Sequence, residues 1–280
     1  MLTFPNAKLN LGLYITARRP DGFHTLETVF LPLPWADALE MLPAAAGQST
    51  GLALTGRPIP GAPATNLCVR AYELLRADFP GLPPVQIHLH KVVPIGAGLG
   101  GGSADAAFAL KAANELFGLG LPVETLEGYA RRLGADCAFF IQNRPVLALE
   151  KGDVFEEIAL SLAGTACAVV YPGLHIGTAE AYARIVPRAP AHPLRGALAG
   201  PIDTWRDTVG NDFETALAPA YPVLAAIKQQ LYAAGAAYAS LSGSGSAVYG
   251  LWPGQAEAPV LHWPAEYLVW RGQLGGNVEG

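Results

Sequence analysis

The residues in this chain best suited to hold a ligand lie between Pro94 and Ala107, where the order is Pro-Ile-Gly-Ala-Gly-Leu-Gly-Gly-Gly-Ser-Ala-Asp-Ala-Ala. Glycines allow positive φ and close backbone approach to a bound group. The alanine-rich stretch that follows favours a helix, and Ser103 and Asp105 suit its cap and first turn. A helix start presents unpaired N–H groups and the positive end of its dipole, so the natural occupant of such a loop is an anion such as a nucleotide phosphate. Two better-known glycine loops fit less well. Gly96, Gly98 and Gly101 satisfy the bare G-x-G-x-x-G spacing, but dinucleotide folds put a buried parallel strand before the loop and an acidic strand end roughly 20 residues after it. Here Val85-Gln86-Ile87-His88-Leu89-His90 alternates like a half-buried strand, and a second helical segment, Val123 to Leu133, follows the first. No Gly-Lys-Ser or Gly-Lys-Thr closes the run, which excludes a Walker A loop. A flexible linker does not belong between an alternating strand and a helix.

The elements that must position this loop are set by a chain of 280 residues, enough for one large or two ordinary domains. Charged residues are only 15% and hydrophobic residues 51%, much of it alanine. With a net charge of −5 and no basic run longer than Arg18-Arg19 or Arg131-Arg132, the chain lacks the footprint of a nucleic-acid binder. Cys68, Cys137 and Cys167 are odd in number and widely separated, which points to neither a disulfide framework nor a thiolate metal site. Lys8 and Asn10 interrupt the N-terminal apolar stretch, unlike a signal peptide, and the apolar segment Ile158 to Tyr171 is too short to span a bilayer. The expectation is a cytoplasmic protein, monomer or weak homodimer, with no nucleic-acid and no membrane partner.

From Ala7 to Ile15 the sequence alternates, placing Ala7, Leu9, Leu11, Leu13 and Ile15 on one strand face and Lys8, Asn10, Gly12 and Tyr14 on the other. A turn at Arg19-Pro20-Asp21-Gly22 leads to a second strand over His24 to Leu33. Residues 43 to 64 read as weak edge strands and loops, and Asn66 caps a helix from Leu67 to Asp78. After the glycine loop and its two helices, Ala138 to Ile141 and Pro145 to Glu150 read as strands. The second half holds a strand at Cys167 to Tyr171, helices at Ala179 to Ile185 and Val223 to Ala234, a surface excursion over Pro187 to Pro201, and Leu241-Ser242-Gly243-Ser244-Gly245-Ser246 before a strand at Ala247 to Leu251. Strands and helices mix without a regular βαβ alternation, which is the pattern of an α+β protein. Read without relatives, Asp136 after Gly134-Ala135 caps a turn, Lys8 is a solvated lysine on a polar strand face, and His88 and His90 are structural or surface histidines without a third metal ligand.

With these segments in view, the chain resembles the GHMP small-molecule kinases, whose phosphate loop has the form Pro-x-x-x-Gly-Leu-Gly followed by small residues and a helix; Pro94 to Ala104 matches it. The resemblance continues through Ala7-Lys8-Leu9-Asn10-Leu11, Arg19 to Leu26, Leu133-Gly134-Ala135-Asp136-Cys137, Asn211-Asp212-Phe213-Glu214 and Leu241 to Gly245. It implies an N-terminal ATP-binding domain over 1–155 and a C-terminal ferredoxin-like α/β sandwich over 156–280, whose last strand is free to return to the first domain. It further implies ATP-dependent phosphorylation of the tertiary 2-hydroxyl of a cytidine-diphosphate-linked methylerythritol, an intermediate of non-mevalonate isoprenoid synthesis. The alternative within the family is a homoserine, mevalonate or sugar kinase. By the same resemblance Asp136 is the general base, and Lys8 keeps that carboxylate ionised and offsets charge on the transferring phosphoryl. Pro94, Ile95, Gly96, Ala97, Gly98, Leu99, Gly100, Gly101, Gly102, Ser103 and Ala104 cradle the phosphates, with Asn66 and Lys91 near the adenine. Mg²⁺ accompanies ATP with its protein ligands unassigned. Asn10 contacts the substrate, Phe23 and Tyr182 sandwich its cytosine, and His24 hydrogen-bonds the base. Phe23 stands where the family usually has tyrosine, and Ala104 where a serine often follows Ser103.

Overall fold

The structure, a computed structural model, describes residues 1–275. The chain opens with β1 (Leu2–Thr3), β2 (Asn6–Arg18), β3 (His24–Ala36), β4 (Ala38–Pro43) and β5 (Gly51–Gly56). Next come α1 (Leu67–Asp78), β6 (Val85–Lys91), α2 (Gly101–Leu116), α3 (Val123–Leu133), α4 (Phe139–Gln142), β7 (Val146–Leu149) and β8 (Val154–Glu157). After β9 (Ala166–Tyr171) follow α5 (Thr178–Ala183), α6 (Leu194–Leu198), α7 (Trp205–Thr208), α8 (Asp212–Leu217) and α9 (Pro222–Ala233), then β10 (Tyr238–Leu241), β11 (Val248–Trp252) and β12 (Leu268–Gln273). These strands form three sheets of four, ordered β1-β4-β6-β5, β2-β3-β7-β8 and β10-β11-β9-β12, with β5–β6 the parallel pair among them. No helix among the described residues is long and apolar enough to cross a membrane.

The first sheet buries one face under α1, α2 and α3. Val85, Ile87 and Leu89 point inward from β6 as the alternation predicts, and Ala104, Ala106, Ala107, Ala109, Ala112 and Ala113 sit fully enclosed on α2. Alanine makes α2 thin, so it can occupy the middle of the cluster with neighbours on nearly every side. Asn66 caps α1 as expected, its side-chain oxygen accepting from the Cys68 N–H at 2.9 Å.

Strand β2 departs from simple alternation. A register shift between Leu11 and Leu13 marks a bulge at Gly12, whose φ is +64° and whose missing Cβ would lie 2.5 Å from Leu194 Cδ1. One extra residue reverses the facing of everything beyond it. Ala7, Leu9, Leu11 and Tyr14 therefore join one core, which β2 and β3 share with the third sheet, while Leu13 and Ile15 join another. Lys8 and Asn10 share a face, as the alternation has it, but that face is enclosed and the two residues are 3% and 2% exposed.

Other expectations are corrected as well. Ala138 to Ile141 is not a strand: a short 3₁₀ turn, Ala135–Ala138, runs into α4, and Phe139, Phe140 and Ile141 are buried in the α2 cluster. A four-residue apolar run cannot distinguish a strand from a buried helical turn. The Pro187 to Pro201 excursion contains α6, anchored by buried Leu194 and Leu198. The third sheet runs β9, helices, β10, β11, β12, the succession of a ferredoxin-like unit with its second helix replaced by irregular chain between Trp252 and Leu268. Helices α8 and α9 cover its outer face. The last strand, β12, pairs with β9 and stays in this sheet instead of returning to the first half.

Candidate active site

The glycine loop joins β6 to α2 and is tied into the protein by its carbonyls. Ala97 O accepts from Ala247 N–H at 3.0 Å, Leu99 O from Lys8 N–H at 2.9 Å, and Gly98 O from Ser242 Oγ at 2.9 Å and Lys8 Nζ at 3.0 Å. With these oxygens turned inward, and the first intrahelical bond made by Ala104 N–H to Gly100 O, the N–H groups of Gly101, Gly102 and Ser103 are left for a ligand. Gly98 permits no other residue, since a Cβ there would lie 1.9 Å from Ser242 O. The side chains of Ala97, Leu99 and Ala104 are buried, so these residues contribute backbone alone, and a serine in place of Ala104 would face the core.

Three details of the loop differ from the sequence reading. Gly100, in left-handed conformation at φ +69°, is the residue preceding α2, and Ser103 sits within the first turn. Gly101 faces inward: an added Cβ would meet Lys91 Nζ at 3.0 Å and Val93 Cγ1 at 3.1 Å, whereas nothing lies within 4 Å at Gly102. Open space for a ligand therefore lies at Gly102, and Gly101 is small for packing. Asp105 is buried, and with Asp37 it brackets the Lys91 ammonium at 2.7 and 2.5 Å. Asp37 also accepts from the Val92 and Val93 N–H groups. Burial alone would lower the Lys91 pKa, but the two carboxylates outweigh it and hold the value above normal. Burial pushes Asp105 up to about 7 despite the lysine, and its second oxygen has no partner. Lys91 thus has no free charge for a nucleotide. It nevertheless lines, with Asn66, Ile95, Gly102 and Asp105, a cavity of about 200 Å³ beside the loop.

The structure brings Lys8 and Asp136 together. Strand β2 carries Lys8 beneath the loop, and the 3₁₀ turn after α3 presents Asp136, whose Oδ2 is 3.5 Å from Lys8 Nζ. The ammonium also donates to Gly98 O and Asn10 Oδ1 and lies 5.1 Å from the Phe30 ring centroid. Its pKa is lowered by burial, with Asp136 opposing the shift. Asn10 is bonded at both ends of its amide, its Oδ1 accepting from Lys8 Nζ and its Nδ2 donating to Thr28 Oγ1 at 3.0 Å, so it holds Lys8 in place.

Asp136 lies where two cavities meet. One, of about 350 Å³, is lined by Lys8, Asn10, Gly96, Gly98, Gly100, Ser103, His175 and Ser244. The other, of about 880 Å³, is lined by Arg18, Phe23, His24, Lys151 and Pro187; both include Leu26, Ala135, Asp136, Thr178 and Tyr182. A separate cavity of about 530 Å³ near Lys111 and Arg144 shares no residue with them. Within the larger cavity the aromatic groups are not arranged as an open slot. Tyr182 lies against His24, with centroids 4.9 Å apart, and against Phe213 at 5.0 Å, while Phe23 is 60% exposed with Lys151 Nζ 5.3 Å from its ring. Partial burial and then Arg18 lower the His24 pKa, so its ring is neutral at pH 7. Burial raises the Tyr182 hydroxyl to about 12, aided by Asp136. Sequence reasoning missed Asp37, His175 and Lys151, none of which stands in a spacing that marks it, and it noted the Leu241 to Gly245 motif without giving Ser244 a role.

Chemically, a backbone anion cradle, a buried ammonium and a partly exposed carboxylate meet at one point, which suits transfer of a phosphoryl group to a hydroxyl. Comparison with known proteins agrees. Residues 66–144 match the GHMP kinases N terminal domain and residues 194–265 the GHMP kinases C terminal. The chain is 49% identical over 268 residues to 4-diphosphocytidyl-2-C-methyl-D-erythritol kinase of Bacteroides fragilis, covering 95% of this chain and 97% of that one. It is 47% identical over 252 residues to the enzyme of the same name from Cytophaga hutchinsonii, covering 90% and 92%. A crystal structure of 4-(cytidine 5'-diphospho)-2C-methyl-D-erythritol kinase superposes with a TM-score of 0.80 at 33% identity, covering 99% of this chain and 100% of that one. Homoserine kinase from Cytophaga hutchinsonii shares the fold, with a TM-score of 0.69 at 16% identity over 96% of this chain and 94% of that one.

Proposed function

The chain belongs to the GHMP kinases, among the 4-diphosphocytidyl-2-C-methyl-D-erythritol kinases, and we propose that it moves the terminal phosphoryl group of ATP onto the 2-hydroxyl of that substrate at the junction of its two cavities. The observation that carries this reading is the position of Asp136, among the described residues the one ionisable side chain, besides the phenol of Tyr182, that lines both spaces. ATP lies with its phosphates on the Gly102–Ser103 side of the loop and its base in the cavity lined by Asn66 and Ile95. The cytidine end of the acceptor occupies the larger cavity near Phe23, His24 and Tyr182, which brings its methylerythritol hydroxyl to Asp136.

Phosphoryl transfer needs positioning and charge stabilisation more than covalent chemistry. Asp136 accepts the proton of the attacking hydroxyl. Lys8, fixed by Gly98 O and Asn10, orients that carboxylate and places positive charge beside the loop. The outward N–H groups of Gly102 and Ser103 meet the charge that builds on the phosphoryl oxygens. Mg²⁺ fits the site as a partner of the nucleotide: it takes oxygen ligands from phosphates, water and one or two carboxylates, and the cavity offers the Asp136 carboxylate together with hydroxyls that include those of Ser103, Thr178 and Ser244. Bound there, it would supply charge neutralisation on the phosphates. We place the enzyme in the cytoplasm, acting on small molecules without nucleic-acid or membrane partners. ADP release measured with the cytidine-diphosphate substrate, homoserine and mevalonate in parallel tests the reading. The first should be turned over in strong preference, and a better rate with either of the others would overturn it.

A further inference from the structure

We propose that His175 is a nucleotide-binding residue, its imidazole closing the open side of the glycine loop and donating a hydrogen bond to the terminal phosphates of ATP. The inference rests on the kinase reading above and adds to it a contact from the second half of the chain. Its ring occupies the space over Gly96: a Cβ added there would lie 2.4 Å from His175 Nδ1 and 2.6 Å from Cε1. That places the imidazole against the loop backbone, in the same cavity as Lys8, Ser103 and Asp136.

The backbone on either side of His175 is fixed. Leu174 O accepts from Ser246 Oγ, and Ile176 is 2% exposed in the core beneath the third sheet. The side chain itself is exposed and, among the described residues, has no hydrogen-bond partner. The other side-chain nitrogens lining the cavity, those of Lys8 and Asn10, already have partners. The Lys8 ammonium is held by Gly98 O, Asn10 Oδ1 and Asp136, and both ends of the Asn10 amide are bonded. Among the described residues, a polyphosphate threading between the loop and this wall would therefore meet in His175 the one lining side-chain nitrogen group without a partner. An imidazole N–H to a phosphate oxygen is a charge-assisted bond, stronger than a neutral one.

Calorimetric titration of ATP and of AMP, each with Mg²⁺, into wild type, His175→Ala, His175→Phe and His175→Gln tests this. Phenylalanine keeps a ring over Gly96 without a donor, and glutamine keeps a donor without the ring. The Kd for ATP should rise about tenfold or more in the alanine and phenylalanine variants, the scale of a lost hydrogen bond to a charged group. Glutamine should recover most of that loss, and AMP should bind all four proteins alike. If His175→Phe binds ATP as wild type does, or AMP weakens in step with ATP, the proposal is overturned while the kinase reading stands. A wild type that binds no ATP would overturn both.

Discussion

An enclosed ammonium is tolerated when paired and hydrogen-bonded, and Lys8 meets that condition through three oxygens, one of which belongs to Asp136. Two residues so coupled should fail together. Lys8→Ala should lower kcat on the order of 10²-fold, and combining it with Asp136→Asn should cost much less than the product of the two losses, as interacting residues do. Simple multiplication in a double-mutant cycle would place Lys8 in some other role. The Asp37–Lys91–Asp105 cluster makes a different prediction. Because burial raises the Asp105 pKa from 3.8 to about 7, the folded state holds a proton that the unfolded state releases, so stability falls as pH rises through this window and the full cost remains above it. Asp105→Asn should therefore raise Tm at pH 8 by about 2–4 °C, the shift that roughly 1 kcal/mol produces in a chain of this size, and by less at pH 5. A gain that is equal at both pH values would assign the effect to packing. Alternation alone made Lys8 look like any surface lysine, and only the family resemblance paired it with Asp136; the Asp37–Lys91–Asp105 cluster was not legible, since Asp37 and Lys91 lie far apart in the chain with no spacing to connect them.

At the scale of elements, the glycine loop divides its residues between ligand and protein, and substitutions should separate the two roles. Gly102→Val has open space to enter, so the protein should keep its Tm to within a few degrees and lose ATP affinity by about tenfold or more on calorimetry, because the branched side chain covers the anion cradle. Gly101→Val would press on Lys91 and Val93 and should first lower Tm. If Gly102→Val binds ATP normally, the phosphates run elsewhere. The loop, α1, α2, α3, β6 and most of β2 and β3 were readable because periodicity and caps are local signals. The bulge at Gly12 was not, since glycine fits an alternating strand as well as a break in one; its requirement comes from Leu194, which arrives from the other half of the chain. Strand β4 and the helical fate of Phe139 to Gln142 escaped for a similar reason, short apolar runs taking their form from the sheet or helix they pack against.

Over the whole molecule, β2 is the shared wall: one end carries Lys8 beneath the glycine loop, and the other, Leu13 and Ile15, packs on the third sheet, with Leu13 lining the smaller cavity. The order of motifs along the sequence disclosed the family, and through that resemblance it pointed to Lys8 and Asp136 as the proposed catalytic pair. The junction of two cavities at Asp136 could not be read, because it depends on how α5 and the turn after α3 face each other. Loss of the exposed Phe23 ring should act on one side of that junction alone. Phe23→Ala should weaken the cytidine substrate by roughly 1–3 kcal/mol, the usual worth of base stacking on an aromatic ring, and leave the Kd for ATP unchanged; equal weakening of both ligands would mean the two sites are not separate. The most direct test is a single-turnover measurement on Asp136→Asn saturated with both ligands, alongside calorimetric Kd values for each. A carboxylate that serves as base between two independent sites predicts both Kd values within about threefold of wild type and a phosphoryl-transfer rate lower by about 10²-fold or more. Transfer near the wild-type rate, or a slow rate explained by lost affinity for either ligand, would contradict it.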